Sequence, residues 1–325
     1  MLFDPLTMHD KKLKIVFFGT PEFAVASMEA ILAEGHEIVA VVTGPDKPAG
    51  RGKHIMQSAV KQAAVARGLK VLQPEKLKDP LFVDELRSLG ADLFVVIAFR
   101  MLPEIVWTMP PLGTFNLHAS LLPRYRGAAP INWAVINGDR QTGVTTFFLK
   151  HEIDTGDVIS RESIEISDSD NAGTIHDRLM ELGARLTAHT CNDIAAGNLH
   201  SIPQCELEGE PCPAPKIFKD TCRIDWNQPA AKIHNLIRGL SPYPAAWTTL
   251  EAEGAETSTM KIFSSTVLSS QASDPGRITI SGKNSIIADC ADFQLEITSL
   301  QPQGKRRMSP DEYLRGCRSR LVKFK

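Results

Sequence analysis

With 325 residues, 43% of them hydrophobic and 23% charged, the chain can build two ordinary cores and is not expected to be disordered. No stretch approaches the length of a membrane span, and the opening MLFDPLTMHDKK carries acids and no long apolar run, so neither a spanning helix nor a secretory signal is expected. The formal net charge of −2 hides an asymmetry: residues 1–215 hold 20 Lys+Arg against 27 Asp+Glu, whereas residues 216–325 hold 16 against 11, leaving the last third suited to a polyanion.

Residues 1–13 read as a disordered lead. KIVFFG (14–19) is an apolar run ending in glycine, the mark of a buried parallel strand, and TPEFAVASMEAILAEG then predicts a helix with Thr20 as N-cap, Pro21 in the first turn and Gly35 as the stop. IVAVV (38–42) closes a strand–helix–strand unit. Further alternation follows: a helix at 59–67, LKVLQ, a helix at 79–89, the strand DLFVVIAF (92–99), GTFNLH and VTTFFL (144–149). Short apolar strands between amphipathic helices predict an α/β fold with a doubly wound, mostly parallel sheet over 14–196, closed by a helix over about 171–196. Ligands of such sheets bind beyond the carboxyl ends of the strands.

Residues 197–222 are polar, proline-bearing and without period, which reads as a linker. Residues 223–325 carry a short helix and five strand-like runs (WTTLEA, MKIFSSTVL, GRITISG, SIIADC, FQLEITSLQP), which predict a small antiparallel OB-like barrel; SPDE (309–312) is a capping box opening a final helix.

Several motifs bear chemistry. Asn116 and His118 stand two apart in an extended stretch, so a carboxamide and an imidazole share one face. The acid-bearing loop HEIDTGD (151–157) follows the next strand, and an Asp beside a His favours imidazolium while an Asn amide can donate to an oxyanion. These are parts of an acyl-transfer site that lacks an enzyme nucleophile; Ser120 sits in no G-x-S-x-G elbow. The single Gly19 does not make a dinucleotide fingerprint, and its ordinary role is a tight strand-to-helix turn. The loop 43–58, with Lys47, Arg51 and Lys53, is too long for a routine connection and reads either as a solvated loop or as an arm for an RNA end. QGKRRMS sets Lys305, Arg306 and Arg307 in one turn, a solvated run or a phosphate contact in equal measure. The six cysteines show no C-x-x-C pair, so reduced thiols are expected and no metal site is.

Over almost its whole length the sequence resembles the methionyl-tRNA formyltransferase family, through FFGTPEFA (17–24), PDKPAGRGK (45–53), NLHASLLPRYRGAAPINWAV (116–135), TGVTTFFLKHEIDTGDV (142–158), RIDWNQPAAKI (223–233) and SLQPQGKRRMSPDEYL (299–314). The resemblance implies a catalytic domain using 10-formyltetrahydrofolate as formyl donor and a barrel that contacts tRNA. It also implies Asn116, His118 and Asp154 as the catalytic trio, Ser120, Leu121, Leu122 and Pro123 as the folate-binding segment, and Arg51, in a loop that enters the acceptor end of initiator tRNA. One departure is AFRMLP (98–103), one residue shorter than the AYGxxLP segment of many members, at an edge expected to border the folate pocket. Formyl transfer to the α-amine of methionyl initiator tRNA, in translation initiation, by a cytoplasmic monomer without a metal is the function implied. The competing readings are a formyltransferase acting on a small amine, a formyl-folate hydrolase, a non-catalytic RNA-binding protein and, last, a nicotinamide oxidoreductase.

Overall fold

The computed structural model describes residues 12–49, 54–254, 256–282, 284–317 and 319–325. The expected lead over 1–13 lies outside them except for Lys12 and Leu13, and Leu13 is fully buried. The chain forms two compact units. The first contains the described residues up to Gly127 with Gly143–Ile164 and His176–Pro213; the second contains Ala128–Thr142, Glu165–Ile175 and the described residues of Ala214–Lys325.

In chain order the helices and strands up to residue 214 are β1 (Lys14–Gly19), α1 (Glu22–Ala33), β2 (Glu37–Val42), β3 (Lys47–Ala49), β4 (His54–Met56), α2 (Ala59–Ala66), β5 (Val71–Leu72), α3 (Pro80–Ser88), β6 (Leu93–Ile97), α4 (Glu104–Trp107), β7 (Thr114–His118), β8 (Arg124–Gly127), α5 (Pro130–Ile136), β9 (Gln141–Phe148), β10 (Val158–Glu165), α6 (Ala172–Ala196) and β11 (Cys212–Ala214). Seven of the strands form a sheet in the order β10-β9-β7-β6-β1-β2-β5. It is parallel from β7 to β5, while β9 runs antiparallel to β7. Every residue of β6 is buried, as are Ile15 to Phe18 of β1, because a parallel sheet is covered on both faces and its strands must be apolar throughout.

The order reverses at β1: the chain builds outward through β2 to β5, then returns to the other flank of β1 with β6 and β7. That reversal opens a crevice at the carboxyl ends of the strands, where β7 delivers His118. At Gly19 a Cβ would lie 2.7 Å from that of Ala24, so the tight β1–α1 turn requires glycine. Thr20 is not the N-cap of α1; Pro21 is, in extended conformation, so the helix starts one residue later than its sequence suggests.

The second unit contains α5, α7 (Ala230–Gly239), β12 (Ala246–Ala252), β13 (Ser258–Gln271), β14 (Ile278–Ser281), β15 (Ser285–Asp289), β16 (Phe293–Pro302), α8 (Pro310–Gly316) and β17 (Leu321–Phe324). Its six strands follow the order β14-β15-β16-β13-β12-β17, and each neighbouring pair is antiparallel. An antiparallel bridge between Arg277 and Lys323, and the Phe324 N–H donating to Gly276 O at 2.8 Å, bring the two ends together into a nearly closed, OB-like barrel. The sequence reading expected five strands; the sixth, β17, is four residues long. Trp226 stacks on Phe324 (5.1 Å, 13° between planes) in a core that includes Ile262, Leu295 and Leu300. The capping box of α8 forms as expected, with Ser309 and Glu312 exchanging side chain and backbone bonds.

The stretch expected as a linker has local structure. Ile202 and Val158 exchange both backbone bonds at 2.8 Å, a 3-10 turn covers Gln204–Glu206, and the first unit extends to Pro213. Prolines suppress a helical or strand period in that stretch, but they do not prevent isolated backbone pairing.

Candidate active site

Side chains of β7 alternate between its two faces. Phe115 and Leu117 point to the face covered by α6, where Gly183 meets Leu117 so closely that a Cβ there would stand 2.7 Å from a leucine methyl. Asn116 and His118 therefore share the opposite face. In register, Asn116 stands opposite Phe147 of β9 and His118 opposite Thr145. Phe147, Leu122 and Val158 form an apolar cluster on that side, and the Phe147 ring meets the imidazole edge-on at 6.4 Å.

His118 is buried, and its Nε2 lies 2.8 Å from the carbonyl oxygen of Tyr125. A carbonyl only accepts, so Nε2 carries a proton and Nδ1 is the nitrogen left to gain or lose one. Nδ1 faces Asp154 Oδ2 at 3.9 Å, and that oxygen accepts the Gly127 N–H at 2.9 Å. Three of the residues involved take left-handed backbone: Tyr125 (φ 61°), Gly127 (φ 125°) and Asp154 (φ 55°). For the two that are not glycine this costs about 1–3 kcal/mol each, strain of the kind retained where it positions functional groups. Asn116 Oδ1 is buried with no partner among the described residues. Such an orphan costs about 1–3 kcal/mol and calls for a functional explanation. The structure thus brings His118 and Asp154 together, with Asn116 on the same strand face as the imidazole.

The Ser120–Pro123 segment follows directly. Ser120, Leu122 and Pro123 are buried and Leu121 is half-buried, and much of the segment's backbone is already bonded within the protein. Thr145 Oγ1 donates to Ser120 O (2.6 Å) and accepts from Leu122 N–H (3.2 Å), while Arg161 donates to Leu122 O at 2.9 Å. The AFRMLP edge begins with Ala98 in left-handed backbone (φ 47°); Arg100 donates to the carbonyls of Glu75 and Pro74, and Met101 is exposed.

Arg51 and Lys53 lie outside the described residues. Lys305, Arg306 and Arg307 are exposed on the second unit; Arg306 pairs with Glu312 at 2.9 Å and Arg307 lies over the Phe263 ring at 4.5 Å. A cleft of about 570 Å³ in the same unit is lined by residues including Arg223, Lys323 and Lys325, with Asp220 and Asp225. Among the described residues no group of three or more His, Cys, Asp and Glu is arranged to hold a metal ion, and no helix is long and apolar enough to cross a membrane.

Sequence reasoning missed the groups that hold the trio. Tyr125 and Gly127 contribute through their backbone, which no residue pattern reports. Gln204 is 5% exposed and lies in the expected linker; its Nε2 donates to the carbonyls of Asp154 (2.9 Å) and Gly156 (2.8 Å). The sequence signal was faint: one glutamine after Ile202–Pro203, an apolar foothold within a polar stretch.

The α/β sheet followed by an antiparallel barrel defines the class of the formyl transferases. Family models agree: Formyl transferase matches residues 13–190, and Formyl transferase, C-terminal domain, matches residues 216–318. The methionyl-tRNA formyltransferase of Bacteroides fragilis is 55% identical over 312 residues, covering 95% of this chain and 96% of the relative. That of Parabacteroides distasonis is 54% identical over 314 residues, covering 95% and 97%. The chain belongs to the methionyl-tRNA formyltransferase family. In fold it is also similar to an N-formyltransferase from Helicobacter canadensis, solved with folinic acid and dTDP-3-aminofucose (TM-score 0.66, 19% identity, covering 89% of this chain and 99% of that one).

Proposed function

We propose that this chain transfers the formyl group of 10-formyltetrahydrofolate to the α-amino group of methionyl initiator tRNA, with Asn116, His118 and Asp154 as the catalytic groups. The observation that carries the chemistry is the facing pair, His118 Nδ1 and Asp154 Oδ2 at 3.9 Å, with Asn116 on the same strand face; its Nδ2 donates to the oxyanion, while its unpartnered Oδ1 accepts from the incoming amine. Identity of 55% over 95% of the chain supports the choice of acceptor.

The α-amine attacks in its neutral form, which is available near neutrality because such groups titrate at roughly 8. A bond forms between the amine nitrogen and the formyl carbon, and the carbonyl electrons move to oxygen. Asn116 and the protonated Nδ1 side of His118 stabilise that oxyanion; removing one such donor typically raises an acyl-transfer barrier by about 2.7–4 kcal/mol. As the oxyanion collapses, the bond from carbon to folate nitrogen 10 breaks, and Asp154 carries the proton lost by the new ammonium toward that nitrogen. Because Nε2 is held by Tyr125 O, the ring cannot turn its other edge to the reaction without giving up a buried hydrogen bond.

The folate lies along Ser120, Leu121, Leu122 and Pro123. Lys305, Arg306 and Arg307 hold tRNA phosphates without regard to sequence, and Arg51 and Lys53 act at the acceptor end. The test offers labelled 10-formyltetrahydrofolate together with methionyl initiator tRNA, methionyl elongator tRNA or an amino sugar nucleotide. Label on the methionine of initiator tRNA supports the reading. Label on the sugar amine alone, or formate released without an acceptor, refutes it.

A further inference from the structure

We propose that Gln204 is a positioning residue for the formyl-transfer site: its buried amide clamps the loop carrying Asp154 to the strand whose backbone holds His118. The inference rests on the catalytic reading of that pair.

Each polar atom of the Gln204 side chain that the clamp requires is engaged. Oε1 accepts from Nε (3.0 Å) and Nη2 (2.6 Å) of Arg126, and Nε2 donates to Asp154 O (2.9 Å) and Gly156 O (2.8 Å). The orientation of the amide is fixed by its partners, since a guanidinium only donates and a carbonyl only accepts. Arg126 lies between Tyr125, whose carbonyl takes the His118 Nε2 proton, and Gly127, whose N–H binds Asp154 Oδ2. The amide therefore connects the backbone that orients the imidazole with the backbone that orients the carboxylate.

The clamp acts where the chain would otherwise relax. Tyr125, Gly127 and Asp154 all occupy left-handed backbone, and Gly156 approaches Phe148 O so closely that a Cβ would lie 1.6 Å from it. Strained segments keep such conformations only when neighbouring bonds over-determine them. Gln204 meets that need from its own anchor: Ile202 pairs with Val158 through two backbone bonds, and Gln204 opens a short 3-10 turn behind Pro203. Asp154 Oδ2 and His118 Nδ1 are 3.9 Å apart, so a small shift of either loop changes how strongly the carboxylate holds the imidazole charged and oriented.

Gln204→Glu tests this with almost no change in volume. The carboxylate still pairs with Arg126 but sets an acceptor against two carbonyls, so the loop of Asp154 is pushed away. Gln204→Ala removes both halves of the clamp, and Arg126→Lys keeps one donor for Oε1. In the full chain, kcat is expected to fall about 10- to 100-fold in Gln204→Glu and Gln204→Ala and by less in Arg126→Lys, with KM for folate and tRNA near the parent's. Urea unfolding measured in parallel gives the folded fraction. A kcat at the parent's level in Gln204→Glu, or a loss that only tracks the folded fraction, overturns the proposal. His118→Ala, run alongside, separates the two claims: full turnover without the imidazole sinks the catalytic reading itself, whereas a dead His118→Ala beside a fully active Gln204→Glu sinks the clamp alone.

Discussion

Replacing Gly156 by alanine perturbs the site without touching a catalytic side chain. The new methyl would lie 1.6 Å from the carbonyl oxygen of Phe148, and contacts below 3.0 Å essentially never occur, so the two must separate by about 1.4 Å. Phe148 cannot yield easily: it is in register with Phe115 in the sheet, and the N–H of the following Leu149 donates to Thr114 O of β7 at 2.8 Å. The 154–157 loop moves instead, which breaks the 2.8 Å bond from Gln204 to Gly156 O and displaces Asp154 two residues away. A displacement on the 1 Å scale costs about 100-fold in turnover, and overpacking of this kind destabilises by about 1–3 kcal/mol. Steady-state formyl transfer to methionyl initiator tRNA reads the first effect and urea unfolding reads the second. Turnover and urea midpoint both equal to the parent's would refute the view that this backbone approach sets the site.

Burial holds the His36 ring below its ordinary value of 6.5, against the opposing hydrogen bond to Asn192. Nδ1 accepts the Leu13 N–H and Nε2 donates to Asn192, so the fold needs the neutral ring. The unfolded chain then binds more protons, and stability is lost as pH falls through 6.5 toward the lower folded value; His36→Gln should flatten that part of a melting-temperature profile, and an unchanged slope would contradict the assignment. Burial raises the Cys191 thiol far above its usual range and that of Cys290 to about 12, whereas Cys205 is exposed. A thiol reagent should accordingly label Cys205 in the native protein and reach the other two only after denaturation. Changing Lys305, Arg306 and Arg307 together to alanine should weaken tRNA binding and lower its salt dependence, with folate KM unchanged; an unaltered salt slope would remove those residues from the interface.

The parallel strands were legible because burial on both faces forces continuous apolar runs, as in KIVFFG and LFVVI. The antiparallel direction of β9 was not, since side-chain type does not record strand direction. β17 escaped notice because it is four residues long and its role is to close a barrel. At the site, the i, i+2 spacing of Asn116 and His118 was readable from strand alternation, and Asp154 from the acid-bearing loop after the next strand. What holds them was invisible for a physical reason. The supports are the Tyr125 carbonyl, the Gly127 N–H and a Gln204 buried within a polar, proline-rich stretch, and backbone groups look the same in every sequence.

The central claim is most directly tested by single-turnover transfer from labelled 10-formyltetrahydrofolate with saturating methionyl initiator tRNA, comparing the parent protein with His118→Ala. The account predicts that tRNA is still bound while the rate onto the methionine amine falls by orders of magnitude. Transfer at the parent's rate without that imidazole would contradict it.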